Sequence, residues 1–427
     1  MDYRAVIQDS LDYIETNIAA EVSAQELADR AGFSLFHYYR LFQTATGMPV
    51  MQYILRRRLL HAIYAVRCGS SGIDAAMKYG FDTYAGFYKA FRREFGCTPS
   101  HFLKTCRAER PWRVDLMQEE HMGVTRRKAG HILKKWGLEQ ESLSDVYSDE
   151  NGSRHDNAYY VGEGYVLKYT ANLGKLHKHL AASKAIASMG LYTAESVKTC
   201  DGQEYIRDGE LYFYVTKRLP GDPMKAGKLY EGDAAANGRF VGEIIGQLHL
   251  ALKELELCAN ETDTLETVKT WALPTAKDAM GLPESFCHKY VEAFEELYPQ
   301  LPRQVIHRDP NPGNIIRAED KWGFIDFELT ERNVRIYDPC YAATAVLSES
   351  FGKDNDGWLE IYRNILTGYD SVVHLSLQER QAVPYVILAN QLVCVAWFAQ
   401  QEKYAELFEV NKRMTAWLME NLEKLKL

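Results

Sequence analysis

The chain has 427 residues, of which 46% are hydrophobic and 25% are charged, and its formal net charge is −8. This composition is typical of a folded globular protein and excludes a disordered or collagen-like chain, and the length suffices for two or three domains. The first residues include acids where an export signal needs basic and apolar residues, and the eight cysteines lack metal-ligand spacing, so we expect a cytoplasmic protein with reduced thiols.

Basic residues are concentrated near the N-terminus. Residues 30–104 contain 11 Lys and Arg against 3 Asp and Glu, whereas the 320 residues after position 107 contain 37 against 48. A basic segment on an acidic protein is expected where a protein binds nucleic acid. A solvated helix face rich in Lys and Arg explains the same charge, so the charge alone leaves both interpretations open.

The first predicted elements are helices. Leu11, Ile14 and Ile18 recur at helical spacing and predict a first amphipathic helix. Ser23 and Glu26 have the spacing of a capping box, in which each side chain accepts from the other residue's backbone amide. A short helix is therefore expected to begin after Ser23 and to end near Gly32.

The plan of this segment recurs about 48 residues later. The matched positions are Gly32-Phe33 with Gly80-Phe81, Arg40-Leu41-Phe42 with Lys89-Ala90-Phe91, Gly47 with Gly96, and Pro49 with Pro99. Each copy predicts a short helix, a glycine turn and a second helix rich in aromatic and basic residues, which describes a helix-turn-helix whose second helix enters the major groove. Two helical hairpins that merely pack together are the alternative.

A longer helix is predicted between the two copies, from Val50 to Val66. At 1.5 Å per residue it is about 25 Å long, which suits two recognition helices held about one DNA turn, roughly 34 Å, apart. Arg56, Arg57 and Arg58 lie on this helix. Their charge predicts contacts to DNA phosphates, which position a protein without reading sequence.

Residues 5–105 resemble the DNA-binding region of AraC/XylS-type bacterial transcription regulators. The matching motifs are Ser34 with Arg40-Leu41-Phe42, Tyr53 with Arg57, Gly80-Phe81, Phe87 with Phe91, and Gly96-Cys97-Thr98-Pro99. The resemblance implies base-edge contacts from two sets of residues, which are Phe36, Tyr39 and Arg40 in the first recognition helix and Tyr84, Ala85, Tyr88 and Lys89 in the second. Arg40 and Lys89 would reach guanine acceptors, and the aromatic rings would pack on thymine methyl groups or, equally, belong to the core.

The strongest chemical motif lies much later in the chain. It runs from His307 through Asp309 to Asn314 and continues in Phe324-Ile325-Asp326-Phe327-Glu328. Asp309 can accept a hydroxyl or amine proton during attack on a γ-phosphate, and Asn314 and Asp326 offer hard oxygen ligands for Mg²⁺. Pro310, Pro312 and Gly313 let the loop turn tightly, so Asp309 and Asn314 can converge. The order and spacing of the whole motif predict kinase-type phosphoryl transfer.

Strands are predicted upstream of that motif, at Ala158–Val161, Tyr165–Tyr169 and Leu211–Val215. Lys168 on the second strand resembles the lysine that anchors ATP phosphates in kinases. The stretch that includes Thr216, Lys217 and Leu219 resembles a hinge whose backbone binds the adenine edge.

Farther along the chain, the apolar run from Ala382 to Phe398 is interrupted by polar residues and predicts a buried helix, so we expect no membrane span.

The segment from about residue 125 to 427 resembles the aminoglycoside phosphotransferase/choline kinase superfamily, and within it the homoserine-kinase-type branch. The resemblance implies a two-lobed fold, ATP and Mg²⁺, with Asp309 as base, Asn314 and Asp326 as metal ligands and Lys168 as phosphate anchor. Asp338 matches a family acid with a structural role. One departure stands out, because the helix predicted over 176–189 carries no acid to pair with the lysine and has His179 near the expected place.

We therefore predict a multidomain chain, in which an all-α double helix-turn-helix domain precedes an α+β, two-lobed, protein-kinase-like domain. The predicted boundaries are 1–107 for the DNA-binding domain, 108–124 for a linker, and 125–427 for the phosphotransferase domain, with lobes at about 125–220 and 221–427.

Three functions remain open at this point. The first is a transcription regulator with a fused ATP-dependent small-molecule phosphotransferase, and the second is a regulator whose kinase-fold domain is a weak or inactive sensor of a ligand or nucleotide. The third is a protein kinase that acts on another regulator. The expected partners are double-stranded DNA and a small molecule, and the sequence does not determine the oligomeric state.

Overall fold

The computed structural model describes residues 3–105, 108, 110–111, 113–116, 124, 126–147, 154–255, 262–318, 321–400 and 404–427. The helices are α1 (Tyr3–Thr16), α2 (Ala24–Ala31), α3 (Leu35–Thr46), α4 (Val50–Arg67), α5 (Gly72–Lys78), α6 (Tyr84–Phe95), α7 (Pro99–Thr105), α8 (Arg126–Leu133), α9 (Leu173–Ser188), α10 (Ala234–Leu252), α11 (Thr264–Thr267), α12 (Leu273–Met280), α13 (Glu284–Leu297), α14 (Tyr337–Ser350), α15 (Asn355–Val372), α16 (Leu377–Ala399) and α17 (Ala405–Glu420). The strands are β1 (Leu143–Tyr147), β2 (Arg154–Val161), β3 (Tyr165–Thr170), β4 (Tyr192–Thr193), β5 (Ser196–Val197), β6 (Ile206–Asp208), β7 (Leu211–Lys217), β8 (Asp222–Pro223), β9 (Arg303–Ile306), β10 (Ile315–Arg317), β11 (Trp322–Phe324) and β12 (Glu331–Val334).

These elements form two compact units. The first contains Met1–Leu173 and Ser196–Arg218, and the second contains Gly174–Glu195 and Leu219–Leu427. The helical N-terminal region and the predicted N-lobe strands thus share the first unit. The architecture confirms the predicted fold class, an all-α helix-turn-helix region followed by a mixed α/β kinase-like part.

The two predicted helix-turn-helix copies are α2–α3 and α5–α6. Each recognition helix begins at a side-chain cap, Ser34 for α3 and Thr83 for α6, and ends at a left-handed glycine, Gly47 and Gly96. Positive φ at these glycines is a conformation that other residues adopt only with strain. The connecting helix α4 has 18 residues, a length of about 27 Å, and contributes to the apolar cores of both copies.

Only half of the predicted capping box forms at the start of α2. The Ser23 hydroxyl accepts from the Glu26 amide at 3.1 Å, as expected. The Glu26 carboxylate, however, accepts from the Tyr13 hydroxyl on α1. The acid therefore joins α2 to α1, because a tertiary partner replaces the local one.

The described residues of the predicted linker pack against the N-terminal helices. Val114 and Leu116 are buried in the core of the first helix-turn-helix copy. Gln8 on α1 donates to the Val114 carbonyl at 2.9 Å and accepts from the Leu116 amide at 2.8 Å. The remaining linker positions lie outside the described residues, and the predicted domain boundaries stay a proposal.

An antiparallel sheet with the order β1-β2-β3-β7-β5 completes the first unit, and β6 also pairs with β7. The three strands predicted from sequence correspond to β2, β3 and β7. Helix α8 packs on one face of this sheet through Ile132 and Leu133. Because β3 lies between β2 and β7, Lys168 is on an interior strand, opposite Ala158 and Tyr214.

The second unit is mainly helical around one large core. Helices α10 and α15 approach closely, since a Cβ at Gly242 would lie 1.9 Å from the Ile365 carbonyl oxygen. Two small sheets, β4-β11-β10-β8 and β9-β12, carry the loops that hold the chemical motif. The predicted buried helix is confirmed as α16, which alone among the described helices is long and apolar enough to cross a membrane but is largely buried in this core.

Candidate functional site

The motif that begins at His307 forms a loop between β9 and β10 of the second unit. Asp338, at the start of α14, accepts from the backbone amides of His307 and Arg308 at 2.8 and 3.0 Å. A ring nitrogen of His249 on α10 lies 2.9 Å from the same carboxylate. Asp338 is fully buried. It fixes the backbone of the loop, and His249 in turn fixes the Asp338 carboxylate, which agrees with a structural role.

Arg308 adopts a positive φ of 78°, which is uncommon for a residue with a side chain. Its guanidinium pairs with Glu331 on β12 at 3.1 Å and lies 4.1 Å from the centre of the Tyr337 ring. The Arg308 backbone amide also donates a hydrogen bond to Asp338. Together these contacts hold Arg308 in its strained backbone conformation. The following residue, Asp309, is thereby presented at the tip of the loop.

Two amide side chains orient the Asp309 carboxylate. Asn311 donates to its Oδ1 at 2.8 Å, and Asn314 donates to its Oδ2 at 3.1 Å and to its backbone carbonyl at 2.9 Å. The Tyr341 side chain on α14 also acts on this carboxylate and lowers its pKa. The spacing of five residues therefore brings Asp309 and Asn314 together as predicted, and the structure adds Asn311 and Tyr341.

Burial raises the pKa of Asp309 above its ordinary value, against the hydrogen bond from Asn311, and the negative charge of Asp326 raises it further. Asp326 follows β11 in the left-handed conformation, with φ 68°. The neighbouring Ile325 amide donates to the Asn314 carbonyl at 3.0 Å. The loop after β11 thus brings a second carboxylate into electrostatic contact with Asp309.

The imidazole ring of His307 connects the same two loops through both of its nitrogens. Its Nε2 lies 3.0 Å from the Ile325 carbonyl oxygen, and its Nδ1 lies 3.3 Å from the Asp309 amide nitrogen. The pairing requires the proton on Nε2, so that Nδ1 accepts from the amide. The ring is fully buried against Phe324 and Phe327, so it fixes the two loops relative to each other.

The predicted metal ligands are an amide and a carboxylate. Among the described residues there is no cluster of three or more His, Cys, Asp or Glu side chains with metal-site geometry. Mg²⁺ at phosphoryl-transfer sites is typically held by one or two carboxylates together with substrate phosphates and water. Asn314 and Asp326 fit that mode.

The predicted nucleotide-binding residues are divided between the units. In the first, Lys168 is half-buried on β3, while Thr216 is buried and Lys217 is exposed in the last two positions of β7, so the strand continues into the predicted hinge. In the second, Leu219 is buried with Ala194 and Ile316 in a small apolar cluster. The two apolar neighbours of Leu219 come from distant segments and carry no sequence signal.

Helix α9 confirms the absence of an acid on the predicted segment, because none of its 16 residues is Asp or Glu. His179 is fully buried in this helix, with its ring 5.9 Å from the Phe327 ring. Phe327 directly follows Asp326. The histidine therefore packs behind the loop that carries the predicted metal ligand.

The recognition helices present the predicted base-contacting residues at their surface. Phe36 on α3 is 75% exposed and Arg40 is exposed, while Tyr39 is half-buried between them. On α6 the corresponding residues are Tyr84, Ala85 and Lys89, which are exposed, and Tyr88, which is half-buried. Arg92, which belongs to none of the sequence motifs, is exposed one turn after Tyr88 on the same face.

Two members of the arginine triplet of α4 are too deeply buried to make the predicted contacts to DNA phosphates. Arg56 and Arg57 are only 2% and 4% exposed. Arg56 pairs with Glu94 on α6 at 3.3 Å, and Arg57 pairs with Glu15 on α1. Arg58 donates to the Ile18 and Ala20 carbonyls. These charges join the helices because α4 lies between the two apolar cores, which leaves its arginines facing neighbouring helices.

Arg57→Ala is expected to destabilise the helical region by about 3–5 kcal/mol, because it leaves the Glu15 carboxylate buried beside His61 without its strongest partner. Although burial opposes it, hydrogen bonds from His61 and Arg57 lower the pKa of Glu15 below its ordinary value. Chemical denaturation followed by circular dichroism measures the loss. Arg92→Ala, which removes an exposed arginine, should change stability by less than about 0.5 kcal/mol; equal effects from the two variants would refute the buried pair.

Comparisons with protein-family models match two parts of the chain. A helix-turn-helix domain model matches residues 27–105, and a phosphotransferase enzyme family model matches residues 150–372, which is about half of the chain. These matches confirm the AraC-type and phosphotransferase resemblances. The homoserine-kinase-type branch stays a prediction.

Curated relatives match the N-terminal region. The right origin-binding protein of Escherichia coli is 33% identical over 106 residues, which are 25% of this chain and 37% of that protein. The HTH-type transcriptional activator AarP of Providencia stuartii is 34% identical over 97 residues, which are 22% of this chain and 72% of AarP. This chain therefore spans little more than a third of the first of these relatives.

Solved structures match the other part of the chain. A microcompartment-associated aminopropanol kinase superposes with a TM-score of 0.52 at 15% identity, covering 70% of this chain and 96% of the kinase. An amicoumacin kinase, solved in complex with AMP-PNP, Ca²⁺ and Ami, superposes with a TM-score of 0.53 at 14% identity, covering 70% of this chain and 92% of that kinase. At these identities the match establishes a shared fold.

Proposed function

Because the chain belongs to the phosphotransferase enzyme family and carries an AraC-type helix-turn-helix domain at its N-terminal end, we propose that it is a cytoplasmic, sequence-specific transcription regulator that also transfers phosphoryl groups from ATP to a hydroxyl or amine of a small molecule. The observation that supports the transferase function best is the convergence of Asp309, Asn314 and Asp326 in the second unit.

In this proposal Asp309 is the base that accepts the acceptor's proton. Asn311 and Asn314 point the carboxylate, and its raised pKa makes it a better proton acceptor than an exposed aspartate. Phosphoryl transfer has little covalent chemistry for a protein to perform, so positioning of the acceptor is the main contribution expected of this loop.

Asn314 and Asp326 would hold Mg²⁺, whose charge neutralises the phosphates when it is bound. Lys168 would bind the phosphates from β3. Thr216, Lys217 and Leu219 would offer backbone groups to the adenine edge. These roles follow the position of each residue in the family motif, and each is a proposal for this chain.

DNA binding is proposed to use α3 and α6. Their exposed faces carry Arg40 and Lys89, which suit guanine, beside large exposed aromatic rings, which suit thymine methyl groups. Solvent-facing Phe36 lies about one turn before Arg40 on α3, so an apolar ring and a positive charge share one exposed face. Double-stranded DNA is the partner that matches both the charge and the rings.

A sensor without phosphotransferase activity is the second candidate. It is favoured by helix α9, which has no acid to pair with a phosphate-anchoring lysine. In that case nucleotide or another small ligand would bind to the kinase fold and alter DNA binding without being consumed.

Binding of Mg·ATP to the full-length protein, measured by calorimetry, tests the transferase proposal. Asp326→Ala should weaken metal-dependent binding by about tenfold or more, because it removes a proposed ligand. Asp278→Ala removes an exposed carboxylate on α12 and should bind as the wild type does. If only Asp326→Ala loses binding, a screen of amines, amino alcohols and aminoglycosides as acceptors is justified. If the wild type does not bind Mg·ATP, the result favours a sensor of a ligand other than nucleotide.

A further inference from the structure

A cluster of buried charges joins the second helix-turn-helix copy to the sheet within the first unit. We define the Arg126 cluster as Arg126 on α8, Asp145 on β1, Glu94 on α6 and Arg56 on α4. Arg126 pairs with the Asp145 carboxylate, which is almost fully buried, and donates to the Phe95 carbonyl at the end of α6 at 3.0 Å. The guanidinium thus contacts the recognition helix and the sheet at once.

The other two members extend the cluster into the helical region. Arg56 pairs with Glu94 at 3.3 Å, one residue before Phe95. Burial raises the pKa of Asp145, against the charges of Arg126 and Arg56. The four side chains therefore interact electrostatically across α4, α6, α8 and β1, in surroundings largely shielded from water, where charges act strongly on one another.

Gly96 makes room for this contact. It ends α6 in the left-handed conformation, with φ 73°, and a Cβ at this position would lie 2.1 Å from a terminal nitrogen of Arg126. The guanidinium therefore lies directly against the end of α6, and a surface pocket of about 240 Å³ borders Arg126, Asp145 and His101.

Helix α8 rests on the strand that carries the proposed phosphate anchor. Leu167 and Tyr169 of β3 are buried in one apolar cluster with Ile132 and Leu133 of α8. Lys168 lies between these two residues in sequence, so its side chain projects from the opposite face of the strand. One face of β3 thus supports α8, and the other carries Lys168.

We propose that Arg126 couples the nucleotide-binding strand β3 to the second recognition helix, so that nucleotide at Lys168 changes the affinity of the protein for DNA. In this mechanism a shift of β3 displaces α8 through their shared apolar cluster. Arg126, the first residue of α8, transmits the displacement to the last turn of α6 through its hydrogen bond to the Phe95 carbonyl. The orientation of α6 decides which side chains reach base edges. The inference rests on the proposed nucleotide and DNA binding and adds the regulation of one by the other.

The test uses full-length protein and a duplex operator selected from random DNA with the wild-type chain. DNA affinity is measured by fluorescence anisotropy with and without Mg²⁺ and a non-hydrolysable ATP analogue. Coupling between two sites usually changes affinity by about 5–150-fold, so we expect at least about a fivefold change in the wild type. Arg126→Ala should reduce that change to less than about twofold, and Arg127→Ala, the adjacent exposed arginine, should preserve it.

Separate calorimetry of nucleotide and DNA binding distinguishes the failures. If either ligand does not bind to the wild type, the corresponding part of the proposed function is wrong. If both bind and the wild type shows no change, or Arg126→Ala shows the full change, the coupling is refuted. The double variant Arg126→Met and Asp145→Asn removes both charges and guards against misfolding caused by an unpaired Asp145.

Hydrogen–deuterium exchange tests the contact without any ligand. Arg126→Ala and the double variant should exchange faster than the wild type in the amides of residues 92–102, because α6 loses its C-terminal support. Arg127→Ala should match the wild type. Unchanged protection in both cluster variants would refute Arg126 as the connection.

Discussion

Asp309→Asn is expected to lower the rate of phosphoryl transfer by about 10²–10⁴-fold or more, because the amide cannot accept the acceptor's proton. The variant keeps the shape of the side chain and an oxygen that can accept from Asn311 or Asn314. Mg·ATP affinity should therefore stay within about threefold of the wild type, which places the loss in the chemical step. ATP consumption is measured with the acceptor found by the screen.

The pH dependence of the wild type follows from the same carboxylate. Burial raises the pKa of Asp309, and the base works only when it is deprotonated. Activity should therefore fall as the pH decreases through a value above the ordinary 3.9 of aspartate.

Glu360→Gln makes the matched change from carboxylate to amide at an exposed position on α15, and it should retain wild-type activity. ATP consumption by Asp309→Asn at the wild-type rate would show that another group is the base. Loss of Mg·ATP binding in Asp309→Asn would show instead that the residue belongs to the metal site.

Local spacing in the sequence predicted those parts of the site that a short loop determines. Asp309 and Asn314 are five residues apart in a loop stiffened by two prolines, so few conformations are available and their side chains meet. The glycines that end α3 and α6 were predictable for a similar reason, because only glycine takes a left-handed cap readily.

Other parts of the site depend on segments distant in sequence. His249 reaches Asp338 from 89 residues away, and Tyr341 reaches Asp309 from the next helix, so no spacing rule identifies either. The environment of the arginine triplet of α4 likewise depends on segments distant in sequence. Three consecutive basic residues indicate charge, but which of them face solvent depends on the two cores between which α4 lies.

Arg40→Ala combined with Lys89→Ala is expected to weaken specific DNA binding by about 2–6 kcal/mol, or roughly 30-fold or more. Each residue would lose one base-edge contact worth about 1–3 kcal/mol, and the two losses should add because the residues lie on separate recognition helices. Anisotropy titrations against the selected operator and a scrambled duplex measure the affinity and the discrimination together.

Arg4→Ala combined with Lys104→Ala is the matched control, since it removes two exposed positive charges from α1 and α7. Both double variants lose the same net charge, so each should lose a similar amount of salt-dependent, non-specific affinity. Only the recognition-helix variant should lose the preference for the operator over the scrambled duplex. If the two variants discriminate equally well, the exposed faces of α3 and α6 do not read bases.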